Sequence, residues 1–184
     1  MVLTKTPAGQ LGWPAADFSL KSTDGKSLDL AGARGPNGLL VMFICNHCPY
    51  VQAVIDDAVA DCRQLQAEGI GVVAIMPNDT EAYPEDSFAN MKKFAAAHRF
   101  PFPYVIDETQ DVARAYDAVC TPDFFGFDRN LALGYRGRLF ETAGKTPKPG
   151  AARELLAAMR AMAATGQGPA RQSPSIGCSI KWRR

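Results

Sequence analysis

Histidine is scarce in this chain: His47 and His98 are the only two in 184 residues. A metal centre built on imidazoles would have little to draw on. Excess charge of either sign is also missing, because 20 Lys and Arg offset 19 Asp and Glu. No basic stripe interleaves with aromatics, so the electrostatic footprint of a nucleic-acid binder is absent and polyanions are not expected partners. The opening "MVLTKTPAGQLGWPAADFSL" has no apolar run of roughly 7 to 15 residues leading to a small-residue cleavage site. Neither a signal peptide nor a membrane span is therefore expected, and the cytoplasm is the expected address. Internal repeats are lacking.

Regular cysteine spacing is lacking too. Five cysteines at irregular intervals do not read as a disulfide framework. In a reducing compartment thiols are retained for catalysis, sensing or metal binding, which draws attention to "MFICNHCPYV" (42–51). There a buried-looking apolar run, "GLLVMFI", breaks into Cys45, Asn46, His47, Cys48 and Pro49. Val51, Val54, Ile55, Ala58, Val59, Cys62 and Leu65 follow at helical spacing, with Gly69 as a stop. Two thiols three apart thus sit where a central strand hands over to a helix.

The remaining chain alternates strand and helix signals. "ADFSLKSTDGKSLDL" predicts an N-terminal hairpin extension around Asp24-Gly25, and "IGVVAIMP" a second buried strand. The loop "NDTEAYPED" leads to a helix over "SFANMKKFAAAHRF" capped by Asp86 or Ser87, with His98 half-buried beside Met91 and Phe94. "YVID", a short helix around "QDVARAYDA", and an antiparallel pair from "DFFGFD" and "LALGYRG" come next, then an Ala-rich helix over 151–165. Met159 and Met162 read as its core contacts, and Cys62 as core packing. The pattern predicts an α/β fold with a central mixed β-sheet flanked by helices. One domain is expected over residues 1–166, followed by a largely irregular C-terminal tail, 167–184, whose apolar ending "IGCSIKW" is able to dock rather than dangle.

A thiol at a helix N-terminus faces unpaired N–H groups and the positive end of the helix dipole, which favour thiolate. Placed there, Cys45 would fall from about 8.5 to near 7, since the dipole contributes up to about 2 kcal/mol. His47 is the expected tuning donor, with Asn46 as a further amide donor. Cys48, one turn deeper, would attack a mixed disulfide on an exposed Cys45 and release the substrate. Thr121-Pro122, opening a strand, is a candidate cis peptide that would leave the Thr121 backbone free to pair with an extended substrate. Cys120 and Cys178 are candidate additional redox thiols.

"GWPAADFSL", "FICNHCPYV", "NDTEAYPEDS", "YVIDETQDVARAY", "CTPDFF" and "SIGCSIKW" together resemble thioredoxin-like redoxins related to the alkyl hydroperoxide reductase and thiol-specific antioxidant group. The resemblance spans nearly the whole chain. It implies a thioredoxin fold, an attacking Cys45, a resolving Cys48 and a cis Pro122 facing them. Two departures stand out. Leu39 occupies the place where thioredoxins carry a buried carboxylate, leaving the proton acceptor for Cys48 unassigned. Cys45 also stands where peroxiredoxins have the threonine of Thr-x-x-Cys, and no arginine precedes the "CTPDFF" strand.

The expected function is thiol-disulfide oxidoreduction, with a protein or small-molecule disulfide as substrate and a thiol as reductant. Homodimerisation is left open. A peroxiredoxin-like antioxidant thiol peroxidase is the alternative enzyme. A Cys/His metal-binding module is the alternative of another class; its extra ligands would come from His47, His98, Cys120 or Cys178 at no recognisable spacing. No cofactor or metal is expected.

Overall fold

The structure is a computed structural model and describes residues 2–183. The chain opens with β1 (Leu3–Lys5), the hairpin β2 (Ser19–Ser22) and β3 (Ser27–Asp29), and the single turn α1 (Leu30–Ala33). Strand β4 (Leu39–Phe43) leads to α2 (Pro49–Gln52), α3 (Ile55–Ala67) and β5 (Gly71–Met76). A one-turn 3-10 helix at Pro84–Asp86 precedes α4 (Phe88–Ala97), β6 (Tyr104–Ile106) and α5 (Asp111–Ala115). Then come β7 (Cys120–Thr121), β8 (Asp123–Phe127), β9 (Leu133–Arg136) and a small hairpin of β10 (Thr142–Ala143) and β11 (Thr146–Pro147). Helix α6 (Glu154–Thr165) and strand β12 (Ile176–Ser179) complete the fold.

Seven strands form the central mixed sheet in the order β3-β2-β6-β5-β4-β8-β9, as the alternation of elements predicts. Parallel β4, β5 and β6 form its middle, and β8 joins β4 antiparallel. Successive residues of β4 feed opposite faces, which follows from the period of two along a strand. Leu40 and Met42 pack with Cys62, Leu65, Met159 and Met162 under α3 and α6. Leu39, Val41 and Phe43 pack with Val112, Tyr116 and Phe125 on the other side. Burial on both faces explains the unbroken apolar run.

Several boundaries depart from expectation. The hairpin is no extension: β2 pairs with β6 and is an integral part of the sheet. The helix after the cysteines is broken at Ala53 and Val54, where Val54 leaves helical geometry at φ −124°. Ser87, not Asp86, caps α4 by accepting the Asn90 N–H. Most consequentially, the C-terminal tail is not irregular throughout, because β12 inserts between β1 and β7 in a second, three-stranded sheet. Among the described residues no helix is long and apolar enough to cross a membrane.

Candidate active site

Strand β4 delivers Ile44 and Cys45 to its C-terminal end, and Pro49 decides where the next helix begins. Proline suits the first helical position, because its φ is already near the helical value and it has no N–H to leave unpaired. Helix α2 therefore starts at Pro49 with Cys48 as its N-cap residue. This corrects the expectation that Cys45 holds the helix N-terminus. It also removes the expected contrast of exposed and buried thiols, since Cys45 is 1% and Cys48 0% exposed.

Opposite lies the Thr121-Pro122 peptide, which is cis. Cys45 Sγ is 3.2 Å from Thr121 Oγ1. The Cys48 thiol donates to the Thr121 carbonyl at 3.1 Å. A third sulphur completes the group: Cys178 Sγ, from β12, lies 3.1 Å from Cys48 Sγ. No disulfide joins any of the five cysteines. The Thr121 backbone is not free for a substrate, as the sequence had suggested, because Cys178 is its registered partner in the β7–β12 ladder.

These contacts set the protonation order. Hydrogen bonding from Cys45, together with contacts from the thiol and N–H of Cys178 and the N–H of Val51, outweighs burial and brings Cys48 down to about 5. The Val51 group acts by proximity, for it makes no full capping hydrogen bond. The Thr121 carbonyl opposes the shift, because it accepts only from the protonated thiol. Cys45 is pushed well above the usual thiol range by its interaction with Cys48, by burial and by the Asp86 charge. Burial and the hydrogen bond with Cys48 push Cys178 up to about 12. Of the three thiols, Cys48 is thus the one favoured to ionise, and Cys45 and Cys178 are disfavoured.

Asp86 is the site residue that sequence reasoning missed, having weighed it only as a helix cap. It is fully buried. One oxygen accepts the Asn46 N–H at 2.8 Å and the His47 N–H at 3.3 Å. The other takes the Asn78 amide at 2.8 Å and faces His47 Nδ1 at 2.7 Å, an ion-pair contact without aligned hydrogen-bond geometry. Its carboxylate thus anchors the cysteine loop to "NDTEAYPED". Burial works against its charge, but His47 and Asn78 hold it below the ordinary aspartate value. His47 in turn is raised by Asp86 and stacks on Tyr83 at 5.8 Å. The expectation that His47 serves a thiol is corrected to this extent: its ionic partner is the carboxylate. Asn46 is likewise engaged elsewhere, accepting from Tyr104 and donating to the Glu85 carbonyl.

Cys45, His47 and Asp86 place ligand-type atoms within 4.8 Å of one another, a metal-like grouping. The three donors and one ion-pair contact already on Asp86 make its carboxylate an internal anchor. His98 lies apart from this cluster, 2.7 Å from Asp56. Cys120 is fully buried and its sulphur approaches the Pro122 carbonyl at 3.7 Å. Burial pushes its thiol far above the ordinary range. Cys62 packs against Met42, as expected of a core residue. Asp86→Asn is expected to destabilise the fold by about 1 to 3 kcal/mol, by weakening buried hydrogen bonds. It should also drop the His47 titration toward the free value of 6.5. Denaturant unfolding and a histidine NMR titration measure the two effects.

The sequence over residues 11–136 matches the AhpC/TSA family. A conserved protein of uncharacterised function from Geobacillus kaustophilus is similar over 100% of this chain and 97% of its own, at 43% identity and TM-score 0.94. A hypothetical protein from Sinorhizobium meliloti 1021 covers 98% of each chain at 37% identity and TM-score 0.90. A thiol:disulfide interchange protein of the thioredoxin family from Chlorobium tepidum TLS shares the fold at 22% identity and TM-score 0.58, over 70% of this chain and 87% of its own. No curated protein matches the sequence significantly.

Proposed function

Because this chain belongs to the AhpC/TSA family and has a thioredoxin fold, we propose that it is a thiol-disulfide oxidoreductase working at Cys45 and Cys48. The carrying observation is the cluster itself: Cys48 Sγ lies 3.1 Å from both the Thr121 carbonyl and Cys178 Sγ, Cys45 Sγ lies 3.2 Å from Thr121 Oγ1, and the Cys48 thiol is lowered in this setting. A thiolate is the nucleophile of disulfide exchange, and an acidic one is ionised at neutral pH. In this reading the Cys48 thiolate attacks one sulphur of a substrate disulfide. A mixed disulfide forms, and the other sulphur leaves as a thiolate. A neighbouring thiol of the site then attacks the Cys48 sulphur, releasing the second substrate thiol and leaving a protein disulfide. An external thiol reductant restores the dithiol.

In this reading the order of roles differs from the one the family resemblance implied: the lowered Cys48 attacks first, and the raised Cys45 does not. Peroxide reduction is less well supported. Arg136, whose strand β9 pairs with β8, is 3.0 Å from Asp123 and 3.5 Å from Asp117, so its guanidinium is engaged with carboxylates.

Thiolate absorbance followed against pH tests the reading. The wild-type protein should show one thiolate appearing with a midpoint near 5. Cys45→Ala should raise that midpoint, since it removes the thiol donor that is the largest cause of the shift. A first midpoint near the free-thiol value of about 8.5 would remove the basis of the assignment.

A further inference from the structure

The C-terminal strand occupies the place where a substrate would be expected. Strand β12 lies antiparallel on β7, with Cys178 opposite Thr121 and Ser179 opposite Cys120. Its approach is too close for any side chain at the preceding position: a Cβ on Gly177 would fall 2.0 Å from the Thr121 carbonyl oxygen. Ser175 ties the strand down further by donating to the Pro122 carbonyl at 2.7 Å. β1 secures the other edge, with Leu3 opposite Cys178. An extended peptide therefore cannot add to this edge, since the backbone it would pair with is taken.

The segment that fills the edge carries a thiol where a bound substrate would present a sulphur. We propose that Cys178 is the resolving thiol for Cys48, so that the oxidised protein holds a Cys48–Cys178 disulfide and accepts low-molecular-weight disulfides rather than extended polypeptides. Closing the gap from 3.1 Å to a bonded distance needs a movement of about 1 Å. Cys45 then serves as the proton donor that keeps Cys48 anionic.

The electron count closes. Cys48 thiolate and a small disulfide RSSR give Cys48–S–S–R and RS⁻. The leaving thiolate takes the Cys178 proton, and Cys178 sulphur attacks Cys48 sulphur, expelling the second RS⁻. Two protein thiols are oxidised and one disulfide is reduced to two thiols. The Cys48 charge is among the causes that hold Cys178 protonated. Forming the mixed disulfide removes that charge, so Cys178 becomes easier to ionise when it is needed.

The inference rests on the exchange chemistry proposed above, and the test separates the two. Reduced full-length protein is oxidised with glutathione disulfide, alkylated and mapped by mass spectrometry. A Cys48–Cys178 linkage is expected as the main product. A Cys45–Cys48 linkage alone would overturn the role of Cys178 while leaving the oxidoreductase reading standing. No disulfide or adduct on Cys48 would overturn both. In Cys178→Ser, a Cys48–glutathione adduct should accumulate and glutathione-disulfide turnover should fall at least tenfold, in protein whose thermal melting shows it folded. Unchanged turnover in that variant would overturn the inference. Wild-type mapping decides the question if the variant does not fold.

Discussion

Replacing Cys48 with serine is expected to take disulfide exchange down to the uncatalysed background and to abolish the acidic thiolate titration in the same variant. Both effects follow from one atom. Cys48 Sγ makes the direct sulphur contact with Cys178, and its charge is among the causes that raise Cys45 and Cys178. With Cys48 gone, neither remaining thiol takes over. Cys45 lies well above its reference value of 9.0 in the intact site, and even a thiol titrating at 9.0 is ionised to only about one per cent at neutral pH. Burial, moreover, continues to oppose ionisation of Cys45 in the variant.

The result distinguishes the two possible orders of attack. If Cys45 were the first nucleophile, Cys48→Ser would complete the first half-reaction and trap the substrate on Cys45. Under the assignment made here, intact-mass analysis after exposure to glutathione disulfide finds no adduct in Cys48→Ser. Cys45→Ala still acquires one at Cys48, more slowly because its thiolate has lost a donor. An adduct on Cys45 in the serine variant would restore the order that the family resemblance implied.

The grouping of the candidate site was partly legible in the sequence. The apolar run of β4, ending in two thiols and a proline, and the Thr-Pro pair just before β8 are local signals, and the structure brings them within hydrogen-bonding distance. The helix start was legible as well and was misread: Pro49, at the first helical position, makes Cys48 the cap. What could not be read locally depends on pairing across long separations. Asp86 reaches the cysteine loop from 40 residues away, and nothing in "NDTEAYPED" distinguishes it from its neighbouring carboxylates. Cys178 reaches Cys48 across 130 residues. The composition of the tail suggested irregular backbone, yet Gly177 is what permits so close an approach to Thr121. Local propensity describes a segment in isolation and says nothing about an unfilled strand edge elsewhere in the fold.

Next to that edge in sequence lies a buried ion pair, and its disruption should be a large stability change for a single substitution near the site. Asp123 follows Pro122, opens β8 and is fully buried, and its partner Arg136 has a side chain only 3% exposed. The guanidinium meets Asp123 at 3.0 Å, donates to the Asp117 carbonyl at 2.7 Å and lies 4.5 Å over the Phe125 ring. Arg136→Met keeps an apolar stem but strands the carboxylate, an arrangement that costs about 3 to 5 kcal/mol when one partner of a buried pair is removed. The cost is pH-dependent with a definite sign. Burial raises Asp123 from 3.8 to about 6 against the opposing pull of Arg136. A carboxyl whose folded pKa lies above its unfolded value holds its proton longer when folded, so stability falls as pH rises from about 4 through about 6. Removing Arg136 takes away a lowering influence and extends that window upward. The destabilisation of Arg136→Met should therefore be large at pH 8 and much smaller at pH 5, where the carboxyl is protonated in the folded variant. Urea unfolding at the two pH values measures it, and equal losses at both would show that packing rather than charge accounts for the defect. Adding Asp123→Asn to the same chain should recover most of the loss at pH 8, because no charge is then left buried.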